Sequence, residues 1–465
     1  MKAADSLLLA GPFVALSVAL LLHGALGFAP AVTAGITLWC VLWWVTEPVP
    51  VPVTSLLPLA LLPFFGVLDS SQVAQAYGSP LILLMLGGFI LSKGMESTGT
   101  HRRLALYMVR ACSRLAGGQS DRSIVVGFML ASASLSMWIS NTATTLMLLP
   151  IALAVIERND RAGFGIALML GIAYAANVGG MGTPIGTPPN LIFMEVYGEI
   201  TGSRLSFVQW MQYAVPVVIV LVPIIAWWLT RNLQSERGSP AQLLPEVGQW
   251  RSAEKRVLMV FGFTALAWIT RSDPLGGWSS WLNLPSANDA AIALLAAIAL
   301  FVTPNGEGGK LLNWKQASDI PWGILLLFAG GICLAKAFTS SGLSEHLGQG
   351  LATLTYLPMW WLLLLLCLGV SFMTESTSNM ATTALLMPLL GAAALAGGMD
   401  PILLMLPATL SASCAFMLPV ATAPNAVVYG SGQVPAQAML RNGVALNLLG
   451  ALVIATLCYL LLGRG

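Results

Sequence analysis

The chain has 465 residues, 57% of them hydrophobic and 9% charged, where soluble domains carry about 25% charged residues; a soluble enzyme, a disordered chain and a nucleic-acid binder are excluded. Twenty-one basic and nineteen acidic residues with three histidines leave a net charge of +2, so no field of one sign is available to steer a nucleic acid or an acidic partner. A mean hydropathy of +0.81 makes lipid the expected solvent.

Apolar runs between polar breaks predict eleven membrane spans, at about 7–28, 32–47, 52–67, 80–98, 164–180, 208–230, 256–271, 286–303, 321–339, 401–418 and 441–462. The first follows Lys2 and imitates a signal peptide, but its length and the spans behind it identify a retained helix. Two more apolar stretches, about 123–156 and 359–395, are broken in the middle by polar clusters. Each is predicted to be a re-entrant hairpin of two half-length helices. Cys40, Cys112, Cys333, Cys367, Cys414 and Cys458 stand far apart in apolar sequence, with only His23, His101 and His346 to help bind a transition metal. They read as inert packing residues.

With the N-terminus inside, sixteen of the twenty-one basic residues, from Lys2 to Arg441, fall on cytoplasmic segments. Arg204, Arg271 and Arg464 fall outside, and Lys93 and Lys336 lie within or at the ends of spans, from which they would snorkel to the interfaces. That bias predicts an N-in, C-out topology. Three blocks recur in order: MLGGFILSKGMESTG (85–99) with FAGGICLAKAFTSSG (328–342), SNTATTLMLLP (140–150) with SNMATTALLMP (378–388), and TPIGTPPN (183–190) with LPVATAPN (418–425). Five spans per repeat oblige the copies to have opposite orientations, the pattern of an inverted-repeat secondary transporter. The polar stretch at about 231–255 separates the repeats as a cytoplasmic linker, a solvated loop whose Arg251 and Lys255 could also meet anionic lipid. The expected division is 1–118 and 256–357 as scaffold, 119–235 and 358–465 as transport parts, and 236–255 as linker.

Polar, helix-breaking runs inside apolar sequence must face protein or a water-filled cavity. Four occur at equivalent places: Ser136 to Thr145, Gly179 to Asn190, Thr374 to Thr383 and Pro419 to Asn425. In GGMGTPIGTPPN the glycines permit unwound backbone and three prolines lack amide hydrogens, so the helix must break. A break at mid-membrane frees carbonyl oxygens for a hard cation such as sodium and amide hydrogens for an anion. A proline kink without a ligand would explain one break, not four symmetric ones. Ser140-Asn141-Thr142 and Ser378-Asn379-Met380 add neutral oxygen ligands. Glu375 is the acid within these runs and reads as a brace for the second hairpin in preference to a proton relay, because Met137 stands at the matching place.

On WWVTEPVPVPVTSLLP (43–58), SMWISNTATT (136–145), ANVGGMGTPIGTPPN (176–190), TESTSNMATT (374–383) and VATAPN (420–425), the chain resembles the divalent-anion/sodium symporter family over nearly its whole length. The resemblance implies an all-α homodimer of about eleven spans and two hairpins per protomer, with scaffold and transport domains moving as an elevator. It implies one sodium site from Ser136, Ser140, Asn141 and the Gly186 carbonyl, and a second from Thr374, Ser378, Asn379 and the Ala421 carbonyl. The anion would lie between the hairpin tips against Asn141, Thr142, Asn379, Thr187 and Thr422, with Pro188 shaping one side. Met380 departs from the threonine expected in the second Ser-Asn-Thr, and Ala423 from a frequent proline; both bear on the substrate contacts and leave the sodium ligands intact.

With no arginine near these motifs, a dicarboxylate would be held by neutral dipoles and sodium charges, so its binding should require sodium. The expected function is sodium-coupled import of succinate, malate or fumarate through a prokaryotic plasma membrane. Uptake of sulfate or another divalent anion, sodium-independent exchange, and an anion channel are the competing readings. An intramembrane enzyme is weakest, since no catalytic His, Cys or paired carboxylates accompany the motifs.

Overall fold

The computed structural model describes residues 2–115, 120–157, 163–233, 248–271, 277–346 and 357–462. Most of the predicted linker, Arg158, Arg161, Arg237, Arg464 and the domain limits at 118 and 235 lie outside the described residues. Among the described residues there are helices and one isolated bridge, Pro304 to Lys310, and no strand.

Helices α1 (Lys2–Leu26) and α2 (Phe28–Thr46) turn on Gly27, whose φ of 83° suits a residue without Cβ. The span expected at 52–67 is divided into α3 (Val51–Thr54) and α4 (Leu56–Phe64). Pro58 has no amide hydrogen to offer the Thr54 carbonyl, so the turn cannot close there. Next come α5 (Ser70–Tyr77), α6 (Pro80–Ser97) and α7 (Thr100–Leu115). The last is an amphipathic helix absent from the predicted spans, because Arg102, Arg103, Arg110 and Arg114 break up its apolar run.

Both predicted hairpins are present. The first is α8 (Asp121–Ser136) with α9 (Asn141–Glu157). After it, α10 (Phe164–Gly180) stops and α11 (Pro188–Thr201) resumes beyond a seven-residue break, 181–187. Then follow α12 (Phe207–Thr230), α13 (Ser252–Ile269), α14 (Gly277–Trp281), α15 (Asp289–Val302), α16 (Trp314–Ala317) and α17 (Trp322–Ser340). The second hairpin is α18 (Met359–Ser376) with α19 (Asn379–Ala396). It is followed by α20 (Ile402–Ala412), a break at 413–422, α21 (Ala423–Gly430) and α22 (Ala436–Leu462). The second break starts at Ser413, six residues before the predicted Pro419, and shortens the span expected at 401–418.

Eight helical stretches among the described residues are long and apolar enough to cross a bilayer, and others, α10, α15 and α20 among them, are apolar but shorter. Large apolar side chains such as Phe13, Leu21, Phe263 and Leu295 are exposed on the outer surface, as a lipid solvent requires. The ends of the bundle differ in chemistry. At one, Arg122 Nε donates to the Thr230 carbonyl (3.3 Å), Arg103 pairs with Glu254 (3.0 Å), and Arg251 donates to the Thr98 carbonyl. At the other, Arg271 pairs with Asp289 (2.6 Å), whose carboxylate also accepts from the Phe207 amide (3.3 Å). Helix α12 runs from one group to the other, about 36 Å at 1.5 Å per residue.

Candidate functional site

Each hairpin tip makes the same three bonds, one of which ties it to the helix behind. In the first, Ser136 Oγ lies 2.6 Å from Asn141 Oδ1 and 2.7 Å from the Ala176 carbonyl, and Thr145 Oγ1 donates to the Asn141 carbonyl (2.9 Å). In the second, Thr374 Oγ1 lies 2.7 Å from Asn379 Oδ1 and 3.1 Å from the Ala412 carbonyl, and Thr383 Oγ1 donates to the Asn379 carbonyl (2.7 Å). Ser140 and Ser378 cap their helices by accepting from the amides of Ala143 and Ala381, both at 3.2 Å. Gly180 permits this approach in the first repeat, since a Cβ there would collide with Asn141 Oδ1.

The breaks are held open by matching asparagines. Asn190 Nδ2 donates to the Gly180 (3.0 Å) and Thr183 (2.7 Å) carbonyls, and Asn425 Nδ2 to those of Ala415 (3.0 Å) and Leu418 (3.1 Å). Two of these four carbonyls, those of Thr183 and Leu418, also accept a backbone amide, from Gly186 (3.3 Å) and Ala421 (3.2 Å). The second break has an additional support. Glu375, 3% exposed, accepts from the amides of Phe416 (2.6 Å), Met417 (2.8 Å) and Leu418 (3.0 Å) and from Asn447 Nδ2 (2.7 Å). Gathering three successive amides around one carboxylate turns the chain out of helix early, which accounts for the earlier start of this break. Glu375 is therefore a brace, and it does not line the cavity described next.

Both tips and both breaks converge on one cavity of about 780 Å³. Of the residues singled out from sequence, Ser140, Asn141, Thr142, Gly186, Thr187 and Pro188 line it from the first repeat, and Ser378, Asn379, Ala421 and Thr422 from the second. Ser136 and Thr374 stand behind the wall, on the asparagines. Met380, half-buried, and Ala423 line the cavity too.

Lys93 lines the mouth of the cavity, its Nζ 2.8 Å from the exposed Asp319 on the facing loop and 3.3 Å from Glu96. The Lys93 hydrogen bond and charge hold the Asp319 carboxyl below its usual range. Lys336, its repeat counterpart, pairs with Glu199 at 3.5 Å. Among the described residues no arginine lines the cavity; the ionisable side chains there are Lys93 against Glu47, Glu96 and Asp319. Such a lining repels a free dianion and attracts cations.

Cys40, Cys333, Cys367, Cys414 and Cys458 are buried and unpaired. Among the described residues no three His, Cys, Asp or Glu side chains cluster as a metal site. Sequence reading passed over Asn177 on α10, which is 1% exposed, lines the cavity and donates to Thr422 Oγ1 (3.1 Å). Its sequence signals are an amide within an otherwise apolar helix and a place in the ANVGG start of the 176–190 motif.

A multi-pass helical bundle whose repeated hairpins and broken helices surround a single charged-mouth cavity defines a membrane transporter. Residues 41–409 match the family described as CitMHS, citrate transporter, and the chain belongs to that transporter family. It is 38% identical to the sodium-dependent dicarboxylate transporter SdcS of Staphylococcus saprophyticus over 92% of this chain and 85% of that one. With the protein of the same name from Staphylococcus aureus strain RF122 it shares 37% identity over 97% of this chain and 90% of the relative. Two solved structures share the fold. The Alcanivorax borkumensis YdaH transporter matches with a TM-score of 0.59 at 14% identity, over 87% of this chain and 89% of its own. Neisseria gonorrhoeae MtrF matches with 0.58 at 13% identity, over 86% and 84%.

Proposed function

We propose that the protein imports dicarboxylates such as succinate, malate or fumarate coupled to sodium, through an elevator movement of the two hairpins and broken helices. The observation that carries this is the convergence of two matched oxygen sets on one cavity. Ser136 with Asn141, and Thr374 with Asn379, sit at equivalent places with the Gly186 and Ala421 backbones on the same wall. Sodium would be held by Ser136, Ser140, Asn141 and the Gly186 carbonyl at one tip, and by Thr374, Ser378, Asn379 and the Ala421 carbonyl at the other. Neutral ligands hold it weakly enough for release.

The anion would then lie between the tips against Asn141, Thr142, Asn379, Thr187 and Thr422, beside Pro188. In a lining with three carboxylates and one lysine, its desolvation is compensated only once sodium is bound. That requirement is the coupling: each ion raises the affinity of the other by the same factor. The names of the SdcS relatives support both the cation and the anion class.

Helix α6 ends beside Arg251, and Lys93 lies one turn earlier, so the cavity mouth is at the basic end of the bundle. Under the positive-inside rule that end is cytoplasmic, which makes the conformation inward-open and the C-terminus external. The expected assembly is a homodimer, with 1–118 and 256–357 as scaffold, and 119–235 and 358–465 carrying the cargo.

Citrate is the second reading, favoured by the description of the family and by a cavity with room for a third carboxylate. Radiolabelled succinate, citrate and sulfate uptake into proteoliposomes, with and without a sodium gradient, decides among them. Saturable, sodium-steep succinate uptake is expected. Sodium-independent counterflow would make the protein an exchanger, and non-saturating flux a channel.

A further inference from the structure

Asn177 belongs to the first repeat, yet its amide works on the second. Its Nδ2 donates to Thr422 Oγ1 at 3.1 Å and to Asn425 Oδ1 at 3.4 Å. The amide has one orientation available. Asn425 uses its own nitrogen on the Ala415 and Leu418 carbonyls, so it presents its oxygen to Asn177, and that oxygen can meet only a donor. Thr422 Oγ1 also accepts from the Asn425 amide at 3.2 Å.

A hydroxyl has two lone pairs and one proton. At Thr422 both lone pairs face donors, and no described residue accepts the proton. The side chain lines the cavity, so a ligand there is the acceptor that remains. Thr187, at the matching place in the first repeat, is not constrained in this way. Its hydroxyl makes no cap bond, and the Asn190 amide goes to the Thr187 backbone carbonyl instead (3.2 Å). The asymmetry falls on the repeat that has lost a hydroxyl, since Met380 stands where the first repeat has Thr142.

We propose that Asn177 is a positioning residue that commits Thr422 to donate its hydroxyl proton to a carboxylate of the transported anion. This rests on the anion site of the preceding section and adds the group that polarises it. The test is sodium-driven succinate uptake by the full-length chain in proteoliposomes, comparing wild type with Asn177→Ala, Asn177→Asp, Thr422→Val and the Asn177→Ala/Thr422→Val double variant. Asn177→Ala and Thr422→Val should each raise KM about tenfold, the size of one hydrogen bond to a charged group, with the sodium half-saturation unchanged. The double variant should be no worse than Thr422→Val alone. Asn177→Asp, nearly isosteric, should raise KM at least as far as Thr422→Val, because the new carboxylate accepts the Thr422 proton itself.

Additive effects in the double variant, or wild-type KM in Asn177→Ala, overturn the proposal. Should the alanine variant fail to fold, an unchanged KM in Asn177→Asp overturns it equally, and a raised one supports it. If the wild type takes up no succinate, the dicarboxylate reading falls, and the same cycle is run on whichever of citrate or sulfate is transported.

Discussion

Replacing Glu375 with Gln removes one charge and turns one acceptor into a donor. In the native arrangement Oε1 accepts from Phe416 N, Met417 N and Asn447 Nδ2, and Oε2 accepts from Leu418 N. A glutamine oxygen can keep the first three, leaving an amide nitrogen opposed to the Leu418 N–H. An orphaned buried donor costs about 1–3 kcal/mol, and each retained bond loses roughly 1 kcal/mol when its acceptor becomes neutral. Against this, the neutral side chain no longer bears the desolvation cost of a buried carboxylate, several kcal/mol. The opposing terms leave about 1–3 kcal/mol, localised where the orphan is. Leu418 is the residue whose carbonyl accepts from Asn425 Nδ2 and from the Ala421 amide (3.2 Å), so its displacement reaches the proposed second sodium site. Sodium half-saturation of succinate uptake should rise about 5- to 150-fold, with the variant still folded and its maximal rate at saturating sodium largely kept. Sodium-activation curves with a parallel thermal melt measure this. Wild-type sodium dependence in Glu375→Gln would refute the bracing role and with it the link from Leu418 to Ala421.

Asn141→Ala and Asn379→Ala should each lower uptake more than about 100-fold without unfolding the protein, since each removes a proposed sodium ligand and the acceptor of Ser136 or Thr374; normal transport by either variant discards that site. Met380→Thr restores a hydroxyl to the cavity wall, so KM for succinate should fall about tenfold and citrate should compete better, with sodium dependence unchanged. Unchanged succinate and citrate profiles would take Met380 out of the site. The Lys336–Glu199 pair joins α17 to α11 at 3.5 Å, between parts expected to slide past each other, and a half-buried pair contributes about 1 kcal/mol. Glu199→Gln should therefore move the conformational ratio about fivefold away from the inward-open state, read as slower cytoplasmic-side labelling of a cysteine placed at Ser92 in the cavity wall; an unaltered labelling rate would refute it.

The fold was largely legible because lipid imposes a simple grammar: apolar runs become helices, and polar runs inside them become breaks or tips. Ser136 to Thr145 and Thr374 to Thr383 fall at the hairpin tips. The errors lie where local pattern competes with a distant partner. The second break begins at Ser413, not Pro419, because the Glu375 carboxylate, about forty residues earlier, takes the amides of residues 416–418. Proline position signals where a helix cannot continue. It carries nothing about where an acceptor from another helix stops it sooner.

Repeat matching finds chemistry that the two halves share, and it recovered the paired tips and the presence of both breaks. Its blind spot is chemistry that one half supplies to the other. Asn177 finds its partners Thr422 and Asn425 in the other repeat, more than 240 residues distant. An alignment of the chain with itself does not show that meeting. Only the closure of the two broken helices on each other, with Tyr174 OH donating to the Phe416 carbonyl at 2.6 Å, brings that amide to the hydroxyl it orients.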